Sequence, residues 1–415
     1  MLGNVLQQCY NITDTLIVGR FLGKEALAAV GSAYTLMIFL TSVLLGLSMG
    51  SGAFLSAAFG KNDEDELKTA NFMSLCLIAA FTALLTVLVY VFTDSLLWIL
   101  QTPEQVFTPL KSYLLIIFAG IPATFVYNYY ASSLRATGNS TSPLIFLAIS
   151  AVLNIVLDIL FVAVFNFGIK GAAAATIIAQ YVSAAGLVIF TVKKAPLLKL
   201  CKKCMKFKKE YFRPILSLSV LTSLQQSIMN FGILMVQGRV NSFGTEVMAA
   251  FAAAVKVDTL AYSPVQDFGN AFSTFVAQNY GAKKYERIRA GIKTGALSVL
   301  IFCLCISAIV FVFAGQLTSI FTDDKAVIKI GAQYLKIEGT FYCLIGFLFL
   351  FYGYFRAIQK PFVSVVLTIA SLGTRVLLAY TLSAIPALGI NGIWLSIPIG
   401  WALADILGIV LLKKE

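Results

Sequence analysis

Histidine is absent from this chain of 415 residues. It is the side chain most often used as a general base near neutral pH, and it is a common zinc ligand. Its absence excludes histidine-dependent acyl transfer and proteolysis by histidine-ligated zinc. Proton chemistry must therefore use carboxylates. We therefore expect that the protein is not an enzyme. The alternative that stays open is a membrane-embedded enzyme that uses a pair of aspartates from different spans.

Charged residues are also scarce. They make up 12% of the chain, against 59% hydrophobic residues, whereas soluble domains carry about a quarter charged residues. A soluble globular fold is excluded because too few polar side chains remain to cover a water-facing surface. Apolar runs of about 20 residues, each long enough to cross a bilayer, recur along the chain. The sequence predicts an all-α polytopic membrane protein embedded in the lipid bilayer.

These runs predict about twelve transmembrane helices. The second and eighth runs are longer than a bilayer requires, which indicates tilt or bends. The predicted spans are 1–19, 26–57, 70–93, 112–133, 143–165, 169–192, 213–238, 246–278, 291–314, 333–355, 361–384 and 388–411.

The basic residues indicate the orientation of the chain in the membrane. Lys and Arg outnumber Asp and Glu, 31 to 19, for a net charge of +12. When the connectors are assigned alternately to two sides, one side holds 21 of the basic residues and the other eight, and Lys256 and Arg375 lie within spans. The richer side includes both termini and the 193–213 connector, which we place in the cytoplasm of a protein of the plasma (inner) membrane. We expect no nucleic-acid partner, because orientation accounts for the positive charge.

Cysteine is sparse and points to no metal chemistry. Most of the seven cysteines lie inside apolar runs. Cys201 and Cys204 form a lone CxxC motif with no second pair and no histidine, which makes a poor zinc site. We expect no cofactor, and no metal beyond a coupling sodium ion.

The chain is an internal duplication with an offset of about 220 residues. Short motifs recur in order: 6–8 at 224–226, 19–20 at 238–239, 113–114 at 334–335, 135–136 at 356–357 and 168–171 at 389–392. We predict an amino-terminal six-helix lobe (1–192), a basic connector (193–212) and a carboxy-terminal six-helix lobe (213–415). Because each copy has an even number of spans, a pseudo-two-fold axis along the membrane normal relates the two bundles. A cavity between such bundles favours alternating access.

Acidic residues inside the hydrocarbon are costly, so those within spans are candidate functional residues. In the first half they are Asp14 and Asp158. Asn154 precedes Asp158 by four residues, which places both side chains on one helix face. Carboxylate and amide oxygens suit Na⁺ or a shared proton. The corresponding positions of the second half are not acidic, which favours function over packing for both acids.

The second half carries charged residues of its own within spans. Glu338, Arg375 and Asp405 are predicted to form one buried network, because an unpaired arginine at that depth is costly. The network is interpreted either as a structural clamp or as a second coupling site. Asp258 lies close to Lys256 and is interpreted as structural.

Several uncharged polar residues also lie within spans and have two interpretations. They either form interhelical hydrogen bonds or line a cavity. They are Gln8, Tyr10 and Asn11 in the first span, and Gln225 and Gln226 in the seventh.

The motifs around these residues resemble the multidrug and toxic compound extrusion (MATE) family, over essentially the whole chain. They are 3–14 (GNVLQQCYNITD), 18–20 (VGR), 26–31 (ALAAVG), 276–282 (VAQNYGA) and 397–405 (IPIGWALAD). The resemblance implies twelve helices in two six-helix lobes. It also implies export of organic, often cationic, compounds by antiport with H⁺ or Na⁺.

The resemblance further implies where the coupling cation binds. The family's amino-lobe site uses an Asp in helix 1, an Asn-x-x-x-Asp pair in helix 5 and a Thr in helix 6. Here these residues are Asp14, Asn154, Asp158 and Thr176. A related branch carries an additional acid in helix 7, where this chain has two glutamines.

The resemblance also sets expectations about the start of the chain and the transport cycle. Residues 1–18 make a poor independent span, so we expect about twenty residues upstream of Met1 in the full protein. We expect a monomer that carries a small organic substrate. Cation binding at Asp14 and Asp158 is expected to shift it between access states. The alternative is a flippase for lipid-linked or other amphiphilic substrates, which is disfavoured because few basic residues lie within the spans.

Overall fold

The computed structural model of the chain describes residues 2–99, 104–200 and 203–414. Over these residues the secondary structure is helical, with no β-strand, which confirms the all-α fold class. The α-helices are α1 (Leu2–Gly60), α2 (Glu64–Val91), α3 (Thr93–Ile99), α4 (Glu104–Phe118), α5 (Ile121–Ala136), α6 (Thr141–Asp158), α7 (Gly168–Lys194), α8 (Lys209–Asn241), α9 (Thr245–Gly281), α10 (Tyr285–Ser319), α11 (Lys325–Gly339), α12 (Tyr342–Ala357), α13 (Pro361–Leu382) and α14 (Ile390–Leu412). A π-helix (Ile159–Val164) and a short 3₁₀-helix (Pro196–Leu198) follow α6 and α7.

The connector predicted between the first two spans is wrong. The structure continues α1 without interruption from Leu2 to Gly60, through residues 20–25. This stretch contains no proline, and its single glycine, Gly23, lowers helix stability by only about 1 kcal/mol. The polar residues Arg20 and Lys24 are themselves good helix formers, so nothing in the local sequence stops the helix.

Two of the predicted spans are bent pairs of shorter helices. Residues 107–118 of α4 meet α5 at 43°, and α11 meets α12 at 53°. The first bend lies at Gly120, with Pro122 in the first turn of α5, where a proline is tolerated. The second bend lies at Gly339 and Thr340, about 220 residues after the first. It therefore occupies the equivalent position in the second copy of the repeat. The duplication has therefore retained a bend as well as sequence motifs.

The lengths and compositions of the helices agree with a multi-pass membrane protein. Within the described residues, seven helices are long and apolar enough to cross a bilayer, or up to nine if each bent pair counts as one span. Two further helices, α8 and α9, have 33 and 37 residues. They are long enough to cross but carry more polar residues, including Gln225, Gln226, Asp258 and Asp267.

The chain divides into two compact units, residues 2–223 and 224–414, with the boundary inside α8. The second unit has an aromatic core in which Phe251 stacks on Trp394 at 5.6 Å between ring centroids, and Tyr334 packs edge-on against both rings.

Close packing of α9 on α12 in this unit depends on two small residues. A Cβ at Gly353 would lie 2.5 Å from the carbonyl oxygen of Gly269, so only glycine permits this approach. The predicted lobe limits of 1–192, 193–212 and 213–415 stay a prediction.

Candidate functional site

The amino-terminal acids lie where a regular helix gives way to a π-helix. Asp158 is the last residue of α6, and the π-helix Ile159–Val164 follows it directly. Short π-helical segments occur frequently at functional sites, because they reorient side chains within a continuous helix. Asn154 lies one turn before Asp158 on the same face. The exposed fraction is 0% for Asp158, 2% for Asn154 and 9% for Asp14.

The structure brings together the four residues that the sequence assigned to this site. The carboxyl group of Asp14, on α1, lies close to that of Asp158, on α6. The Asn154 amide nitrogen Nδ2 donates to Thr176 Oγ1 on α7 at 3.4 Å. The Thr176 hydroxyl in turn donates to the carbonyl oxygen of Ala172 at 3.1 Å. Residues from α1, α6 and α7 therefore converge on one buried point.

Several oxygens in this cluster have no donor. Asp14 Oδ1, Asn154 Oδ1 and both carboxylate oxygens of Asp158 are buried without a hydrogen-bond partner among the described residues. A buried oxygen without a partner is costly, and two adjacent carboxylates cannot both remain charged and uncompensated. Either a shared proton or a small cation with a preference for oxygen ligands would relieve both problems. The described residues hold no group of three or more His, Cys, Asp or Glu side chains suited to a multivalent metal.

A second cluster of buried polar residues lies in the second unit. The Tyr342 hydroxyl donates to Asp258 Oδ1 at 2.5 Å, and Glu338 lies close to Asp258 and to Tyr334. Asp258, interpreted from the sequence as a structural residue, is therefore at the centre of a polar cluster. The sequence contained no signal for Tyr342, because it meets Asp258 only through the packing of α12 on α9.

Arg375 and Asp405 do not complete the network predicted with Glu338. Arg375 is close enough to Asp258 and Glu338 for electrostatic attraction, but in the described part of the chain it forms no ion pair within 4.0 Å, and its Nε has no partner. Among the described residues, Asp405 has no hydrogen bond or ion pair to either residue, and both its oxygens lack partners. The three residues thus do not form one ion-paired network.

Helix geometry explains the separation of Asp405 from Arg375. The Cβ of Arg375 would lie 3.3 Å from a Cβ built at Gly400, so Gly400 marks the face of α14 that packs on α13. Asp405 follows Gly400 by five residues, which turns its side chain about 140° around the helix axis. It therefore faces other helices of the unit.

Of the five residues predicted to line a cavity, the structure describes the side chains of two. Gln225 and Gln226 are both buried in α8, and the carbonyl oxygen of Gln226 accepts a hydrogen bond from Asn230 Nδ2 at 3.3 Å. The side chains of Gln8, Tyr10 and Asn11 lie outside the part that the structure describes. Cavity lining stays a prediction for all five.

Comparison with known proteins matches both halves of the chain to one family. The sequence profile of the MatE family matches residues 1–160 and 219–381, and the two starting points reproduce the offset between the repeated motifs. The probable multidrug resistance protein YoeA of Bacillus subtilis (strain 168) is 30% identical over 98% of this chain and 90% of its own length. The probable multidrug resistance protein YpnP of the same strain is 32% identical over 86% of this chain and 80% of its own length.

A solved structure has the same fold. The outward-facing conformation of a multidrug resistance MATE family transporter superposes with a TM-score of 0.93, at 24% identity, over 100% of this chain and 93% of that one. A multi-pass membrane protein with long apolar helices and buried acids is typical of membrane transport proteins. Within this class, the chain belongs to the MatE (multidrug and toxic compound extrusion) family. The family resemblance found in the sequence is confirmed.

Proposed function

We propose that the protein exports organic, often cationic, compounds across the plasma membrane by antiport with H⁺ or Na⁺. The observation that carries this proposal is the buried cluster of Asp14, Asn154, Asp158 and Thr176, whose unpartnered oxygens require a proton or a cation. Two relatives that align over most of the chain are named multidrug resistance proteins, which supports a drug-like cargo. No cofactor is required, because the ion gradient supplies the free energy.

The proposed coupling depends on buried charge. With neither a proton nor a cation, Asp14 and Asp158 repel each other across a short distance in a medium of low dielectric constant. Binding of either ion removes this repulsion and stabilises the arrangement in which α1, α6 and α7 converge. Antiport follows if the ion-bound arrangement favours the access state that releases substrate. Each ion that binds and dissociates then carries the protein through one exchange.

The test is transport by the purified full chain in proteoliposomes. Ethidium flux is measured with a Na⁺ gradient alone and with an H⁺ gradient alone, each directed against the movement of the dye. We expect flux that requires one of the gradients, and at least about a tenfold loss in Asp158→Asn. The matched control is Asp323→Asn, the same chemical change at an exposed position, which should transport like the unmodified protein.

Two outcomes contradict the proposal. If Asp158→Asn exports ethidium with its ion dependence intact, coupling does not use the cluster. If a fluorescent phospholipid crosses the vesicle membrane without any gradient while ethidium does not move, the protein is a flippase.

A further inference from the structure

The connector between α7 and α8 carries more positive charge than any other connector of the chain. Nine of the residues from 193 to 213 are Lys or Arg, and Glu210 is the only acid among them. Eight of the nine lie in the described part of the chain, and all eight are exposed. These eight residues form the connector surface: Lys193, Lys194, Lys199, Lys203, Lys206, Lys208, Lys209 and Arg213. Among them, only Lys208 pairs with an acid, Glu210, at 3.7 Å.

The neighbouring turn between α1 and α2 does not neutralise this charge. Its four acids and two lysines, within residues 61–68, give a net charge of −2, whereas the residues from 193 to 213 give +8. Two of these acids also have partners of their own, because Glu66 pairs with Lys61 and Glu64 pairs with Lys68, both at 2.7 Å. The connector surface therefore retains its attraction for an anion from outside the protein.

The connector is fixed against the first unit. Asn71 Nδ2, on α2, donates to the carbonyl oxygen of Leu198 at 2.9 Å, and the Leu198 side chain is buried. Cys204 is also buried. Tyr211 and Phe212 pack against the apolar core that α1 and α2 share. The positive charges are thus held at defined places beside the helix ends.

Two apolar side chains are exposed among these charges. Phe207 is 69% exposed and Met205 is 44% exposed. The Phe207 ring packs on Phe212 at 4.9 Å between centroids, and Lys206 and Lys208 flank it in the sequence. In water such an exposed ring is unfavourable, whereas at a membrane surface the ring enters the apolar layer and the ammonium groups stay among the headgroups.

The helices on either side place the connector at the membrane surface. The helix α7 is long and apolar enough to cross a bilayer and ends at Lys194. The helix α8, with 33 residues, begins at Lys209. A connector between the ends of two spans lies at the level of the headgroups, where anionic lipids attract Lys and Arg.

We propose that the connector surface binds the headgroups of anionic phospholipids in the cytoplasmic leaflet, with Phe207 and Met205 inserted beneath them. Orientation of the chain during membrane insertion requires positive charge alone, so it explains neither the exposed ring nor the fixed position of the connector. An acidic protein would match the charge. It would leave unexplained an apolar ring at the level of the headgroups.

The experiment uses Phe207→Trp in the full chain, in nanodiscs of phosphatidylcholine with a minor fraction of phosphatidylglycerol. Bromine on the acyl chains of one lipid or the other quenches nearby tryptophan, and the unmodified protein gives the signal of the three native tryptophans. We expect brominated phosphatidylglycerol to quench Trp fluorescence from position 207 at least about threefold more than brominated phosphatidylcholine at the same bulk fraction. Raised salt should reduce this preference, because exposed charges are screened.

A matched pair of variants tests the lysines. Replacement of Lys203, Lys206 and Lys209 by Gln, in the Phe207→Trp chain, should remove most of the preference for phosphatidylglycerol. The control replaces Lys283, Lys284 and Lys293 by Gln, which removes the same charge from another connector on the same predicted side, and it should keep the preference. Asp158→Asn should also keep it, because lipid binding does not depend on the proposed export.

Three results would overturn the proposal. Equal quenching by the two brominated lipids would show that the connector surface does not select anionic lipid, as expected if its partner were an acidic protein. No quenching at position 207 beyond that of the native tryptophans would show that the ring lies outside the bilayer. Equal losses in the two lysine variants would mean that only the total charge matters. Retention of phosphatidylglycerol in native mass spectrometry checks the same lysine variants without the added tryptophan, and it should fall in the first and not in the second.

Discussion

The hydroxyl group of Tyr342 donates to Asp258 Oδ1 at 2.5 Å and thereby joins α12 to α9. Both residues are almost completely buried. Glu338 lies next to this bond. Two buried acids are therefore close together, and the phenol of Tyr342 donates a hydrogen bond to one of them, Asp258. A hydrogen bond to a charged group contributes more than one between neutral groups, and loss of the donor would leave the acid unsatisfied.

Removal of this donor should destabilise the second unit. We expect Tyr342→Phe to lower the free energy of unfolding by about 1–3 kcal/mol, because Asp258 keeps the cost of burial without its partner. The measurement is thermal unfolding of the purified protein in detergent. The matched control is Tyr285→Phe, the same change at an exposed tyrosine, and equal losses in the two variants would argue against a special role for the bond.

The two acids of the amino-terminal cluster should behave as one unit. Asp14→Asn and Asp158→Asn should each lower ion-dependent transport by about tenfold or more, and the double variant should be no worse than either single one, because a shared proton or cation needs both partners. Ethidium flux driven by the preferred ion checks this expectation. Additive losses in the double variant would mean that the acids act independently.

The close approach of α9 and α12 should tolerate no side chain at Gly353. A methyl group there would lie 2.5 Å from the carbonyl oxygen of Gly269, so Gly353→Ala must push the helices apart and should cost about 1–3 kcal/mol of stability. Gly315 in α10 has no atom within 4 Å of the corresponding position. Gly315→Ala should therefore be neutral or slightly stabilising, and thermal unfolding of the two variants in the same detergent compares them directly.

The buried acid at position 405 should reduce the stability of the folded protein. Asp405→Leu replaces a buried carboxyl group, which has no hydrogen-bond partner among the described residues, by an apolar side chain, so we expect a gain of about 1–3 kcal/mol in the free energy of unfolding. Thermal unfolding without any added cation measures this gain. A loss of stability would show that the carboxylate has a partner in the folded protein.

The sequence by itself determined the class and the repeat, and it predicted which residues form one polar cluster. The shortage of charge and the recurring apolar runs require a membrane environment, because hydrophobicity is a property of short segments and can be read locally. Ordered motifs established the duplication, and the family profile begins at residues with the same offset. The pairing of Asn154 with Asp158 followed from helical spacing, and the family resemblance added Asp14 and Thr176.

Only the tertiary structure decided which buried groups meet. It continued α1 through residues 20–25, where polar residues indicated a connector, because those residues are also helix formers. It placed Tyr342 on Asp258 and turned Asp405 away from Arg375. The physical reason is the same in each case. Periodicity specifies which face of a helix is buried, whereas the partner of each buried group depends on how helices distant in sequence pack against that face.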